Sequence, residues 1–178
     1  MADNETKKRD NVILDVRGLK KYFPIKGGLM RKLIGNVKAV DDVNFFVREG
    51  ETLGLVGESG CGKTTVGRAI IRLYKPTGGE ILFEGRDITS ISEREMKPLR
   101  KKIAYMFQDP YGSLNPRQSA GSIIGEPIRV HKLIPDKAAR RARVDELMQI
   151  VGLDPSTAGR FPHEFSGGQR QRIGIARA

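Results

Sequence analysis

The chemistry in this chain is concentrated in Gly57-Glu58-Ser59-Gly60-Cys61-Gly62-Lys63-Thr64-Thr65, where glycines, a lysine and hydroxyls stand at fixed spacing. The order G-x-x-x-x-G-K-[ST] is that of a phosphate-binding loop. Glycines let successive backbone N–H groups turn toward one anion, and a helix opening near Lys63 adds its positive end. Lys63 brings a point charge to the β- and γ-phosphates of a nucleotide, and the Thr64 hydroxyl is a candidate Mg²⁺ ligand. The flanks suit the loop. Residues 52–56 are a short apolar run of the kind that forms a buried parallel strand. Val66, Ala69, Ile70 and Leu73 fall at i, i+3, i+4 and i+7, one face of a helix.

A second anion site is written at Ser166-Gly167-Gly168-Gln169. Ser at the N-cap and Gln at the third helical position form a capping box, opening a helix through Ile173 and Ile175. The paired glycines are not needed for a cap; they permit close backbone approach to an anion at the helix end. Gln108 follows an apolar run at residues 103–107, read as a strand. Ligands in open α/β sheets bind outside the carboxyl ends of strands, so Gln108 is placed to reach a metal or an attacking water. Tyr22 and Phe23 offer either an adenine-stacking surface or ordinary packing.

Around these residues the chain supplies alternating elements. Residues 12–16 and 40–47 read as strands, with residues 24–38 basic and loop-like and a Gly27-Gly28 turn between. Residues 80–85 read as a further strand, and Ser92 followed by Glu95 caps a short helix through residue 99. Residues 110–165 change character. Pro110, Gly112, Pro116, Gly121, Gly125, Pro127 and Pro135 break the segment, leaving residues 136–151 as its one long helical pattern. There Val144, Leu147, Met148 and Val151 form an apolar face, and Gly152 is a C-cap. This predicts a mostly helical lobe inserted into a nucleotide-binding core.

Composition sets the outer bounds. The balance of apolar and charged residues is that of a globular domain, and no apolar run approaches the ~18 residues of a membrane helix. The N-terminus lacks the apolar core of a signal peptide. The single cysteine, Cys61, suits a reducing compartment. A net charge of +11 is compatible with nucleic acid. No aromatic-interleaved RNA platform or zinc-finger spacing accompanies it, and no nucleic-acid partner is expected. Part of the charge is local, in Arg129, Lys132, Lys137, Arg140, Arg141 and Arg143 against Asp136.

Together these motifs resemble the ATP-binding subunit of an ATP-binding-cassette (ABC) transporter. Gly57 to Thr64 matches the Walker A loop, Gln108 the Q-loop glutamine, and Phe165-Ser166-Gly167-Gly168-Gln169 the signature motif. The resemblance implies an α/β P-loop NTPase of the ABC ATPase type, with an antiparallel β subdomain and an inserted helical subdomain. It divides the chain at 1–108 (core and β subdomain), 109–165 (helical subdomain) and 166–178 (signature). Gly50 to Lys63, the run Gln108-Asp109-Pro110-Tyr111-Gly112-Ser113-Leu114-Asn115-Pro116-Arg117 and the long loop expected before Val40 are most similar to the oligopeptide/dipeptide importer group, much of which nickel importers share.

The resemblance further implies ATP and Mg²⁺ as ligands, with Thr64 and Gln108 toward the metal and Lys63 and Gln108 in catalysis. It raises Phe23 as the adenine-stacking aromatic, with Tyr22 as substitute. Two such subunits, identical or not, sandwich ATP between the loop of one and Ser166 to Gln169 of the other. The pair drives integral membrane permease subunits fed by a substrate-binding protein, from a peripheral position on the cytoplasmic face. The Walker B strand, its aspartate and the catalytic glutamate of the family are not found among residues 1–178, so the expectation is a family member incomplete at its C-terminus and inactive alone. The alternative is an ATPase of the same family that serves a nickel or other substrate importer, or a soluble nucleic-acid-associated one.

Overall fold

The computed structural model describes residues 11–27, 32–107 and 109–178. They belong to two compact units, Met1–Leu99 and Arg100–Ala178.

In the first unit β1 (Val12–Gly27), β2 (Lys32–Arg48), β3 (Gly78–Phe83) and β4 (Arg86–Asp87) form one antiparallel sheet in the order β2-β1-β3-β4. β1 and β2 pair from Val12↔Arg48 to Gly27↔Lys32, so residues 24–27 and 32–38 are strand, not the loop expected from their basic character. Beyond Lys20, β1 has no second partner among the described residues. Pro24 therefore sits on an open edge, where its missing N–H interrupts no ladder, and β-branched Ile25, Ile34 and Val37 favour extended backbone. Gly28 of the expected turn lies outside the described residues. β3 and β4 join through Glu84 and Gly85, both at positive φ, as a two-residue hairpin requires.

α1 (Lys63–Ile70) buries Val66 and Ala69 against this unit's core of Val16, Leu19, Val40, Ile81, Ile88 and Met96. The helix is shorter than its apolar pattern predicts. Arg72 takes the left-handed conformation at φ 60 and ends the helix, leaving Leu73 exposed. The Arg72 guanidinium donates to the carbonyls of Ile88, Thr89 and Ile91, which fixes that exit. α2 (Glu93–Leu99) starts as expected, with Ser92 and Glu95 bonded reciprocally.

Two expected strands are absent from the sheet. Residues 52–56 and 103–107 make no ladder, and Leu53, Leu55, Val56, Met106 and Phe107 are exposed. A parallel strand buried on both faces is stabilised by a neighbour on each side. No such neighbour flanks either segment among the described residues, and apolar composition alone does not make a strand.

The second unit is helical: α3 (Pro110–Ser113), α4 (Ala120–Val130), α5 (Lys137–Ile150), 3₁₀ turns at Pro155–Gly159 and Pro162–Glu164, and α6 (Gly167–Arg177). Its core is one cluster, including Ile123, Ile124, Val144, Met148, Phe165 and Ile173. α4 corrects the expectation that 136–151 is the one long helix. Gly121, Gly125 and Pro127 disfavour a helix locally, but Ser119 caps it and three isoleucines bury on one face. Tertiary packing outweighs propensity here. α5 begins at Asp136, whose carboxylate accepts from Ala139 N–H at 2.7 Å, and ends at Gly152 with φ 70.

Candidate functional site

The loop between residues 57 and 62 is exposed and ends on Gly62, the N-cap of α1, at φ 98. That conformation suits glycine alone, and a Cβ there would stand 2.2 Å from the Ala39 carbonyl oxygen of β2. Gly60 is also left-handed, at φ 84. These two positions curl the backbone so that α1 opens directly out of the loop. α1 has no side-chain cap, whereas α4, α5 and α6 each have one. Its first-turn N–H groups are thus left for another acceptor.

Lys63 lies across the loop. Its ammonium donates to the Gly57 and Glu58 carbonyls, both at 2.6 Å, and comes within 3.4 Å of the Cys61 sulfur. Thr64 is exposed, and Thr65 is half-buried on the following turn. Ammonium, orphan N–H groups and a hydroxyl at a helix start form a donor set that fits a polyphosphate. Among the described residues no cluster of His, Cys, Asp or Glu suits a metal held by protein alone. A Mg²⁺ carried by phosphates would need only one or two protein oxygens, and the exposed Thr64 hydroxyl is one such oxygen at the helix start. Gln108 lies outside the described residues.

The two candidate aromatics differ in surroundings. Phe23 meets Tyr74 edge-on with ring centroids 5.4 Å apart, and the Lys21 ammonium stands 4.9 Å over the Phe23 ring. Tyr74 is in turn held by Arg68 of α1, whose guanidinium donates to its hydroxyl at 3.0 Å. Tyr22 points its hydroxyl to Asp41, and Lys38 reaches the same carboxylate at 3.2 Å. The bond to Asp41 holds the Tyr22 pKa above its ordinary value, and the same bond, followed by that from Lys38, holds Asp41 below the usual carboxylate range. Sequence reasoning missed Tyr74 and Arg68. Their signal was an aromatic just past the helix that follows the loop.

In the second unit Ser166 and Gln169 form the expected capping box, with Ser166 N–H donating to Gln169 Oε1 at 2.9 Å and Gln169 N–H to Ser166 Oγ at 3.3 Å. Ser166, Gly167, Gly168 and Gln169 are exposed together. A Cβ on Gly167 or Gly168 would meet nothing within 4 Å, so neither glycine is explained by packing among the described residues. Buried Arg170, 7% exposed, donates to the Pro162 carbonyl and fixes the turn that precedes the box.

The description "ABC transporter" matches residues 40–178 of this chain. The chain is 58% identical over 174 residues to the oligopeptide transport ATP-binding protein AppF of Bacillus subtilis (strain 168), covering 97% of this chain and 53% of that protein. It is 54% identical over 166 residues to the glutathione import ATP-binding protein GsiA of Escherichia coli (strain K12), covering 93% of this chain and 26% of that protein. The chain thus spans about half the length of AppF or less of these curated relatives. Among solved structures it resembles the dimeric post-hydrolysis state of the ATP-binding cassette MJ0796 bound to ADP and Pi. That likeness has a TM-score of 0.79 at 29% identity, covering 92% of this chain and 68% of that one. The architecture shared is the α/β P-loop cassette.

Proposed function

The chain belongs to the ABC transporter family, and on that premise we propose that it serves as the ATP-binding subunit of a peptide importer. The observation that carries the reading is the loop of residues 57–65, with an uncapped helix start and Lys63 beside its carbonyls. Lys63 and the loop N–H groups hold the β- and γ-phosphates. Phe23, or Tyr22 in its place, takes the adenine, and Thr64 with Gln108 faces Mg²⁺. Bound Mg²⁺ neutralises charge on the phosphoryl oxygens. The peptide substrate is inferred from the transport relatives, whose names specify oligopeptides and glutathione.

In this reading Ser166 to Gln169 completes the nucleotide site of a second cassette subunit. The two open glycines at that helix start leave room for a phosphate approaching from outside the unit. Residues 110–165 form the surface for integral membrane permease subunits, and the assembly is peripheral on the cytoplasmic face. The aspartate and glutamate that the family uses for hydrolysis are not found among residues 1–178. These residues by themselves are proposed to bind ATP without turning it over, and to hydrolyse it when joined to that segment.

Lys63→Ala should abolish ATP binding, measured by equilibrium dialysis; unchanged affinity removes the basis of the reading. In the assembled transporter Ser166→Arg should leave ATP binding intact and suppress turnover. Near-normal ATPase in that variant sinks the role in a neighbouring subunit's site.

A further inference from the structure

The second unit contains a cleft of about 810 Å³ between α4, α5 and the Pro155–Gly159 turn. Two glycines let its walls close together. A Cβ on Gly121 would stand 3.1 Å from the Ala158 carbonyl oxygen, and one on Gly125 3.2 Å from Val144 Cγ2. Val144, Ala158 and Phe161 give the cleft an apolar side. Phe161 is 40% exposed, with His163 stacked on it at 5.9 Å.

The rim is cationic. Arg117, Arg129, Lys137, Arg140 and Arg141 line it against one carboxylate, Asp145. Arg140 donates to the Ile134 and Pro135 carbonyls, and Arg129 stands 3.8 Å from Glu126. The side chains of Arg117, Lys137 and Arg141 have no hydrogen-bonding or ionic partner among the described residues. Arg143, which does not line the cleft, is paired with Glu146 at 2.7 Å. Cations gathered in a concave site repel one another, and their field concentrates anions there. The hydroxyls of Ser119 and Ser122, 2.9 Å apart, add polar groups that a phosphate can use.

We propose that this cleft binds a soluble organic phosphate, its anionic group on Arg117, Lys137 and Arg141 and its apolar or aromatic part against Phe161 and Val144. The volume lies within the ~300–1,000 Å³ of small-molecule sites. The site shares no residue with the phosphate loop.

The test is calorimetric titration of the chain with inorganic tripolyphosphate. The wild type should show a class of site in the cleft beside that in the loop. Arg117→Gln/Lys137→Gln/Arg141→Gln should weaken the cleft class by roughly tenfold per cation removed, leaving the loop class unchanged. Lys63→Ala should remove the loop class and keep the cleft. Asp145→Asn should tighten the cleft site, an effect that misfolding cannot imitate. A single class in the wild type, or an unchanged isotherm in the triple variant, overturns the proposal. So does a triple variant that loses binding to vesicles of anionic phospholipid while tripolyphosphate binding is unaltered, since the phosphate recognised would then belong to a membrane.

Discussion

Tyr22 shows how one side chain records both its packing and its candidate task. Its hydroxyl donates to Asp41, which raises its pKa above the ordinary value of 10. A raised pKa means that the stability from this bond is complete below pH 10 and is lost as pH rises through the folded-state value. Asp41, lowered from 3.8, works in the opposite sense: its contribution is present above pH 3.8 and is lost as pH falls through its own folded-state value. Tyr22→Phe should therefore remove from the absorbance titration a tyrosine that titrates above the ordinary value, and reduce stability only between those two limits. An unchanged alkaline titration would refute the bond. At this scale the sequence was most informative where residue type and chemistry coincide. The Ser166 cap and the helix start at Lys63 were legible from spacing, because a capping box and a glycine turn that opens a helix are local patterns. The partners of Tyr22 and Phe23 were not, because Asp41 and Tyr74 reach them through strand register and a helix exit that no local pattern encodes.

Among the elements, helix caps were read correctly, whereas the extent of strands and helices set by distant partners was not. Ser92 with Glu95, Gly152 and Ser166 all act within four residues of themselves, so local sequence suffices. The failures were elements whose state is decided elsewhere. α4 survives its glycines and proline because of what it packs against, and residues 52–56 stay out of the sheet despite a strand-like composition. Gly79 shows the same dependence from the other side. It is the second residue of β3, at φ 84, and a Cβ there would lie 2.3 Å from the Gly18 carbonyl oxygen of β1. Gly79→Ala should cost about 1–3 kcal/mol in backbone strain alone, more with the clash, and lower the thermal midpoint accordingly. A midpoint equal to wild type would mean that β1 and β3 do not approach this closely.

Over the whole molecule, each unit carries its own apolar core, and damage should stay local. Met148 is fully buried in the second unit. Met148→Ala should cost about 2–5 kcal/mol there. Hydrogen exchange should report this as faster amides in α4, α5 and α6, with the β1–β3 ladder keeping its protection. Uniform loss across both units would contradict separate cores. Within the first unit one short rod joins two ends of a candidate ligand. α1 starts in the phosphate loop, and from its last turns Arg68 grips Tyr74 against Phe23. If adenine is read at Phe23 and phosphate at Lys63, the two readings are cooperative through that helix, and cooperativity between bound groups is reciprocal. Adenosine should then raise the affinity for tripolyphosphate by the same factor that tripolyphosphate raises the affinity for adenosine, making discrimination among nucleotides a property of the rod as much as of either end.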